Sequence, residues 1–377
     1  MSLILPFSFK SSGNSVPITT DGIIYETLIS TGNGNTYIFG TFDSIQSQPR
    51  PSAASFSTSG VLTNFNLGQP TLDPVYAATE TKYQLDDSYQ IAIGINSGIK
   101  LLNLTTGASL STSPVTNING AISTLFNDPN SYDIYSLGGF TIIDGLGRYG
   151  IAKWNGNLSF NRTWRFNPTG GFPSCIANAS TTHIYVGGSF TSPRQKLARV
   201  RKSDGVLDTS FTPNTPNSKT KTVFSIAVSA NGNVLEGGLA TTNNLFFKCL
   251  NSSGTEISNL SSLIYNQVNK QFLQVEDIII NNEKIYTYIG LNSQSTTEKL
   301  GWIFKFNSDL SIDTSFNSPS GYISLTTENK SYQPTIKIGI DQNNNLVVGG
   351  AVDKIGGTTT SSGYAILDNT TGSVLVS

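Results

Sequence analysis

The sequence predicts an all-β protein, a seven-bladed β-propeller of four-stranded antiparallel blades whose ring is closed by N- and C-terminal strands. Three observations carry this expectation. An apolar strand ending in one or two glycines returns seven times: YIFGTF near Phe42, IAIGI near Ile95, IYSLGGF near Phe140, IYVGGSF near Phe190, VLEGGLA near Ala240, IYTYIGL near Leu291 and LVVGGAV near Val352. Measured between the first glycines (Gly40, Gly94, Gly138, Gly187, Gly237, Gly290 and Gly349), the spacing is roughly 44 to 59 residues, the length of a four-stranded blade. No segment carries a sustained helical period with caps.

The fourth copy shows the internal order. An apolar stretch, Cys175 to Ala177, leads through a polar turn to a second strand, His183 to Val186, which meets Gly187-Gly188. A variable loop follows, then a third strand from Leu197 to Val200, a Ser203-Asp204-Gly205 turn and a closing Leu207-Asp208-Thr209-Ser210-Phe211. Turn residues also mark Asn33-Gly34-Asn35, Asp86-Asp87-Ser88, Asn231-Gly232-Asn233, Asn281-Asn282 and Asn343-Asn344-Asn345, where hairpin tips need positive φ or local side-chain hydrogen bonds. The glycines after the second strand are expected to permit close approach of a neighbouring backbone or a bend.

The whole chain, 1–377, reads as one domain. Residues 1–20 form a closing strand and lead-in, and the blades cover approximately 21–70, 71–116, 117–168, 169–216, 217–264, 265–319 and 320–377. Leu3 to Phe9 lies as far ahead of Ile23-Ile24 as Leu207 to Phe211 lies ahead of Phe224 to Val228. It therefore reads as an orphaned fourth strand. Since the last copy ends in Tyr364 to Leu367 and a short Val374 to Val376, the expectation is that the N-terminal strand completes it.

The strings Gly187-Gly188-Ser189-Phe190-Thr191, Leu207-Asp208-Thr209-Ser210-Phe211 and Ile312-Asp313-Thr314-Ser315-Phe316 resemble the repeat of the delta-60 propeller family. The match is good in the third, fourth and sixth copies and degraded in the others, where LDTSF becomes LTNFN, LSTSP, EISNL and VLVS. The resemblance implies a propeller of bacterial or phage-borne, surface-type proteins. It implies no general enzymatic activity.

Composition narrows the setting. Charged residues make up 12% and the formal net charge is -1, without the basic excess of a nucleic-acid binder. Hydrophobic residues reach 37%, enough for a core and too many for a disordered chain. The opening MSLILPFSFK lacks the basic and long apolar regions of a signal peptide, and no run reaches membrane-spanning length, so neither signal peptide nor membrane insertion is expected.

Catalytic and metal chemistry finds little purchase. His183 is the only histidine and falls at a hairpin tip, so a histidine-based zinc site or a Ser-His-Asp triad is not expected. Asp341 to Asn345 opens like a calcium loop but lacks glycine at the sixth position (Leu346) and glutamate at the twelfth (Val352), and reads as a tip. Cys175 and Cys249 sit at different strand positions and read as small buried side chains rather than a disulfide. No catalytic residue, metal or cofactor is expected.

Four features stand above this background. Glu236 occupies a register filled elsewhere by Phe39, Ile93, Leu137, Val186, Ile289 and Val348, where a carboxylate needs a partner. A basic residue recurs in the third strand (Lys153, Arg199, Lys248 and Lys305), near Asp208 and Asp313, which suggests ion pairing or stem packing. The loops between second and third strands carry Arg50, Arg148, Tyr149, Arg194, Lys196, Lys299 and Lys354, a candidate basic interaction face. Tyr149, Trp154, Trp164 and Trp302, with Asp43, Asp144 and Asp353, are the groups a sugar-active propeller would use, although Trp154 and Trp302 lie in core-like third-strand patterns.

The leading expectation is a non-enzymatic structural or interaction propeller on a virion (phage tail, fibre or baseplate) or on a bacterial surface. Its partners would be other structural proteins of an assembly or a cell-surface ligand such as a glycan. The alternative is a carbohydrate-binding adhesin or a sugar-active propeller enzyme.

Overall fold

The computed structural model describes residues 5–11, 14–20, 24–58, 61–68, 75–82, 87–96, 98–112, 117–213, 220–241, 245–268, 273–291, 300–317, 336–341, 343–349, 354–355, 358–359 and 364–376. Its architecture is all-β, and each of the seven sequence copies contributes a main antiparallel sheet; beside these lie a sheet of Leu5–Ser11, Asn14–Thr20, Ser44–Ile45 and Gln48–Pro49 and two small ribbons, Ile142–Ile143 with Leu146–Gly147 and Lys354–Ile355 with Thr358–Thr359. The second, fifth and seventh copies form four-stranded sheets, the seventh being Lys337–Ile340, Leu346–Gly349, Tyr364–Leu367 and Val374–Val376. The first, third, fourth and sixth form three-stranded sheets, such as Pro173–Asn178, His183–Gly188 and Leu197–Arg201 in the fourth.

The strands group into two compact units. One runs to Asn167 and holds the first three copies; the other, mainly from Pro168 onward, holds the last four. Within each unit the cores lie between successive copies rather than inside them. In the first unit, Tyr37, Phe39 and Phe65 of the first copy pack with Ile91 and Ile93 of the second. In the second unit, Tyr185 and Phe211 of the fourth copy pack with Val223, Val234 and Phe246 of the fifth. A sheet with two apolar faces must cover both, and a neighbouring copy does so at about 1.5–3 kcal/mol for each large side chain removed from water.

The glycine after the second strand now has a specific role. At Gly237 an added Cβ would stand 2.4 Å from Val275 Cγ1, and at Gly187 it would stand 2.8 Å from Val223 Cγ1 and Ile226 Cδ1, all on the following copy. The approach expected from a neighbouring backbone is made there by neighbouring side chains. The glycine that follows meets the copy's own first strand: an added Cβ at Gly188 would lie 2.2 Å from the Phe172 carbonyl oxygen, and at Gly238 2.1 Å from that of Thr222. First strands of the fourth and fifth copies are bulged opposite these glycines, with register shifts between Pro173 and Cys175 and between Val223 and Ser225; in the sixth the shift between Val275 and Asp277 lies opposite Ile289 and Tyr288.

Three expectations are corrected. First, Leu5–Ser11 pairs with Asn14–Thr20, from Leu5↔Thr20 to Ser11↔Asn14, so the opening segment forms a local hairpin and not the closing strand. Ser12-Gly13 separates two segments of equal length, and a partner adjacent in sequence costs little loop entropy. The edge of the last sheet is the chain's own Val374–Val376.

Second, the LDTSF segment expected as a fourth strand is reduced to an isolated bridge, Val200↔Leu207 in the fourth copy and Phe306↔Ile312 in the sixth. Asp208 Oδ1 accepts hydrogen bonds from the Ser210 amide (2.9 Å) and hydroxyl (2.7 Å), and this local turn competes with the sheet ladder.

Third, a helix, Ser261–Val268, follows the fifth copy. Asn259 Oδ1 accepts from the Ser261 amide at 3.1 Å, and Leu260 and Ile264 enter the core beside Phe247. Eight residues are too few for a sustained period, which is why no helix is apparent in the sequence.

Candidate functional site

The recurrent third-strand cation is built into the sheets. In the fourth copy Arg199 lies opposite Tyr185, its Nε 2.7 Å from Asp208 Oδ2 and its guanidinium 5.1 Å from the centre of the Phe211 ring. Arg199 Nη1 also donates to the Ser252 carbonyl of the next copy at 2.7 Å. In the sixth copy Lys305 lies opposite Tyr286, 3.3 Å from Asp313, over the rings of Tyr286 and Phe316, and donates to the Asn369 carbonyl of the seventh. Lys153 repeats the pattern opposite Tyr135 with Asp133 at 2.8 Å. The closing aromatics stand edge-on to these tyrosines, as in Tyr185–Phe211 and Tyr135–Trp164.

Lys248 departs from this set. It pairs with Glu236, one register position away from the clamp, while Cys249 sits opposite Leu235 in the clamp position. A one-residue slip turns a side chain to the other face. Lys248 therefore lies across from Glu236, which is 1% exposed, and its ammonium is 2.8 Å from Glu256. The pairing also realigns Glu236 with Ser136, not with Leu137: Ile226↔Glu236 corresponds to Leu125↔Ser136.

The candidate basic face is largely turned inward. Arg148 is 0% exposed, donates to the Gly147 and Arg162 carbonyls at 2.7 and 2.8 Å, and lies 4.9 Å from the centre of Phe160. Burial and the neighbouring Arg165 and Arg162 push its guanidinium down from the ordinary arginine range. Arg50 does the equivalent work in the first copy, donating to the Pro49 and Thr63 carbonyls. Arg194 is half-buried, and Lys196 donates to the Ser189 carbonyl, with its ammonium pushed down by burial. Tyr149 is exposed at 42%. Lys354 opens a two-residue strand in its loop, and Lys299 lies outside the described residues. These arginines are short of exposed surface because an Arg fork satisfies loop carbonyls better than water can at a close-packed sheet end.

The aromatics proposed for sugar stacking are also placed. Trp154 and Trp164 are fully buried, and Trp154 Nε1 donates to Ser136 Oγ at 2.8 Å. Trp302 is partly buried in the core. Asp43 is exposed, Asp144 lies 3.7 Å from Arg162, and Asp353 lies outside the described residues. Among the described residues, no group of three His, Cys, Asp or Glu side chains could hold a metal ion. Asp341 Oδ1 accepts the amides of Asn343 and Asn345, holding the tip expected there. Cys175 and Cys249 are free thiols, both pushed up by burial, to about 12 and about 11.

The opposite ends of the first unit's sheets carry a site that the loop residues did not announce. Described residues near the hairpin ends of the first three copies line a cleft of about 420 Å³, among them Thr31, Glu80, Lys82, Asp87, Tyr89 and Tyr132. Glu80 is held by the hydroxyls of Ser30 and Thr31 and by the amides of Thr31 (2.9 Å) and Gly32 (3.2 Å). Tyr132 donates to Asp87 Oδ1 at 2.8 Å, and Lys82 lies 3.8 Å from Asp87 Oδ2 and 5.1 Å from the centre of the Tyr89 ring. Asp87 was legible in the sequence only as a turn residue, which its φ of 59° confirms it to be.

No protein-family model matches the chain, and no curated protein does. Solved structures do. The chain is similar to BBS1N in a crystal structure of its complex with ARL6DN, at 14% identity and a TM-score of 0.52, over 97% of this chain and 96% of that one. It is also similar to the BP39L lectin from Burkholderia pseudomallei, at 12% identity and a TM-score of 0.52, over 81% and 89% of the two chains. Both neighbours are β-propellers, and the likeness gives this chain the same fold class.

Proposed function

We propose that the chain is a non-enzymatic binding propeller of seven blades, akin to the delta-60 repeat family, which presents loop surfaces to other structural proteins or to a cell surface. One observation carries the reading. The charges that recur along the sheets are used internally, Arg199 on Asp208, Lys305 on Asp313, Lys153 on Asp133 and Lys248 on Glu256, so what varies between copies is the tips and loops. Rigid sheets with variable ends are the usual arrangement for recognition. The neighbours support it by their own partners: BBS1N is seen with ARL6DN, and BP39L is a lectin.

In this reading the propeller belongs to a virion, as part of a tail, fibre or baseplate, or to a bacterial surface, a setting supported by its weakly charged composition and the resemblance of its repeats. The test is electron cryo-microscopy of the native particle or surface fraction. Packed contacts of about 1,000 Å² or more to neighbouring subunits support a structural binding role. A propeller found free, with turnover of a glycan substrate, overturns it. A glycan-binding reading is favoured separately by the cleft beside Asp87 and Tyr89.

A further inference from the structure

We infer that the cleft between the hairpin tips of the first three copies is a binding site for a neutral saccharide. The inference rests on the binding-propeller reading and assigns a ligand class to one surface of it.

The volume of about 420 Å³ falls within the range of small-ligand sites and accommodates a short sugar. Its walls mix donors and acceptors: hydroxyls from Thr31, Ser131 and Tyr132, amides from Asn127 and Asn130, and the carboxylate of Asp87. A ligand rich in hydroxyls, each both donor and acceptor, matches such a lining; an apolar ligand would strand these groups. Tyr89, 37% exposed, adds an aromatic edge to the wall, its ring packed against Gly32 and beneath the Lys82 ammonium.

Charge argues against an anionic ligand. Glu80 is saturated by Ser30, Thr31 and Gly32, and Asp87 is balanced by Lys82. The remaining carboxylate of Asp128 is 2% exposed and accepts from the Asn130 amide. Three carboxylates against one ammonium leave the lining net negative, which repels an anionic sugar; Glu80 and Asp128 are engaged by internal donors, so hydroxyl contacts to Asp87 and not ion pairs select the ligand. Asp87, with its side chain 62% exposed, keeps lone pairs beyond those used by Tyr132 and Lys82 and can bridge two adjacent hydroxyls.

The experiment uses the full chain on an array carrying neutral, sialylated and sulfated glycans together with basic peptides, followed by calorimetry on the best neutral glycan. Asp87→Asn and Tyr89→Leu are compared with Leu110→Ala, an exposed residue on the edge strand of the second copy, with thermal melts confirming that each folds. The expected result is binding of a neutral glycan, weakened about tenfold or more by Asp87→Asn, as for loss of one charge-assisted hydrogen bond, and unchanged by Leu110→Ala. Tyr132→Phe, which keeps the ring and removes only the hydroxyl, should weaken it too. Preference for sialylated or sulfated glycans or for basic peptides overturns the ligand class. Absence of any glycan binding, or binding indifferent to Asp87 and Tyr89, overturns the site. In either case contacts of the propeller to assembly partners would leave the broader binding reading standing.

Discussion

Arg199 joins two copies through one side chain, holding Asp208 Oδ2 of its own copy at 2.7 Å while donating to the Ser252 carbonyl of the next at 2.7 Å. The residue is thus both the anchor of the shortened closing segment and a strap between sheets. Asp208→Ala leaves a mostly buried guanidinium without its carboxylate and should cost about 2–4 kcal/mol. Urea denaturation checks this; a midpoint unchanged from wild type would show that the Ser252 bond alone suffices.

The same pair sets an acid limit. Burial pushes the Asp208 carboxyl up, but the hydrogen bonds of Ser210 and the Arg199 guanidinium outweigh it and bring it down to about 2. A carboxyl depressed in the folded state stabilises above its unfolded value, near pH 4, and the contribution is lost as pH falls toward 2. Asp313, lowered chiefly by Ser315, acts in the same direction. Melting temperature should therefore drop steeply between about pH 4 and 2. Asp208→Asn should flatten that limb, and an equally steep drop in the variant would remove Asp208 from the explanation.

Gly237→Ala should destabilise by about 1–3 kcal/mol, because the new methyl would stand 2.4 Å from Val275 Cγ1 in a packed contact. Gly139→Ala is the matched comparison, since nothing lies within 4 Å of its added Cβ. Equal melting temperatures for the two variants would contradict the close approach of copies.

Arg148→Lys keeps the charge but loses the fork that reaches both Gly147 and Arg162. A loss of about 1–3 kcal/mol is expected by chemical denaturation, with no change in whatever the exposed tips bind.

Both thiols should resist alkylation at pH 8. Burial pushes Cys175 to about 12 and Cys249 to about 11, so almost no thiolate exists there, even though Cys175 retains some open surface. Two equivalents should react once guanidinium is added. Rapid native labelling of either would show that its sulfur is less enclosed than described.

The repeat and the hairpin tips were legible because each is a local pattern recurring at a similar spacing, whereas cross-strand register puts Leu137 where the fifth copy has Gly237. What escaped depends on pairing between segments. Lys248 looks equivalent to Arg199 along the chain, yet cross-strand register places it opposite Glu236 and turns it to the other face. The closing LDTSF reads as a strand, but Asp208 folds it into a turn by bonding Ser210. The cleft draws Thr31, Asp87 and Tyr132 from three copies, and no local pattern in the chain links the three. Periodicity identifies each tip and says nothing about which tips meet.

The glycine that receives the next copy's valine makes the repeat directional. Gly94 is the seat for Ile122, Gly187 for Val223 and Ile226, and Gly237 for Val275, so each of these three boundaries is a plug entering a socket made by its predecessor. Copies of such a chain are not interchangeable parts. A copy transplanted from a related gene would have to match the seat ahead of it and the plug behind it, and viable crossovers should fall within a copy, leaving each plug with its own socket.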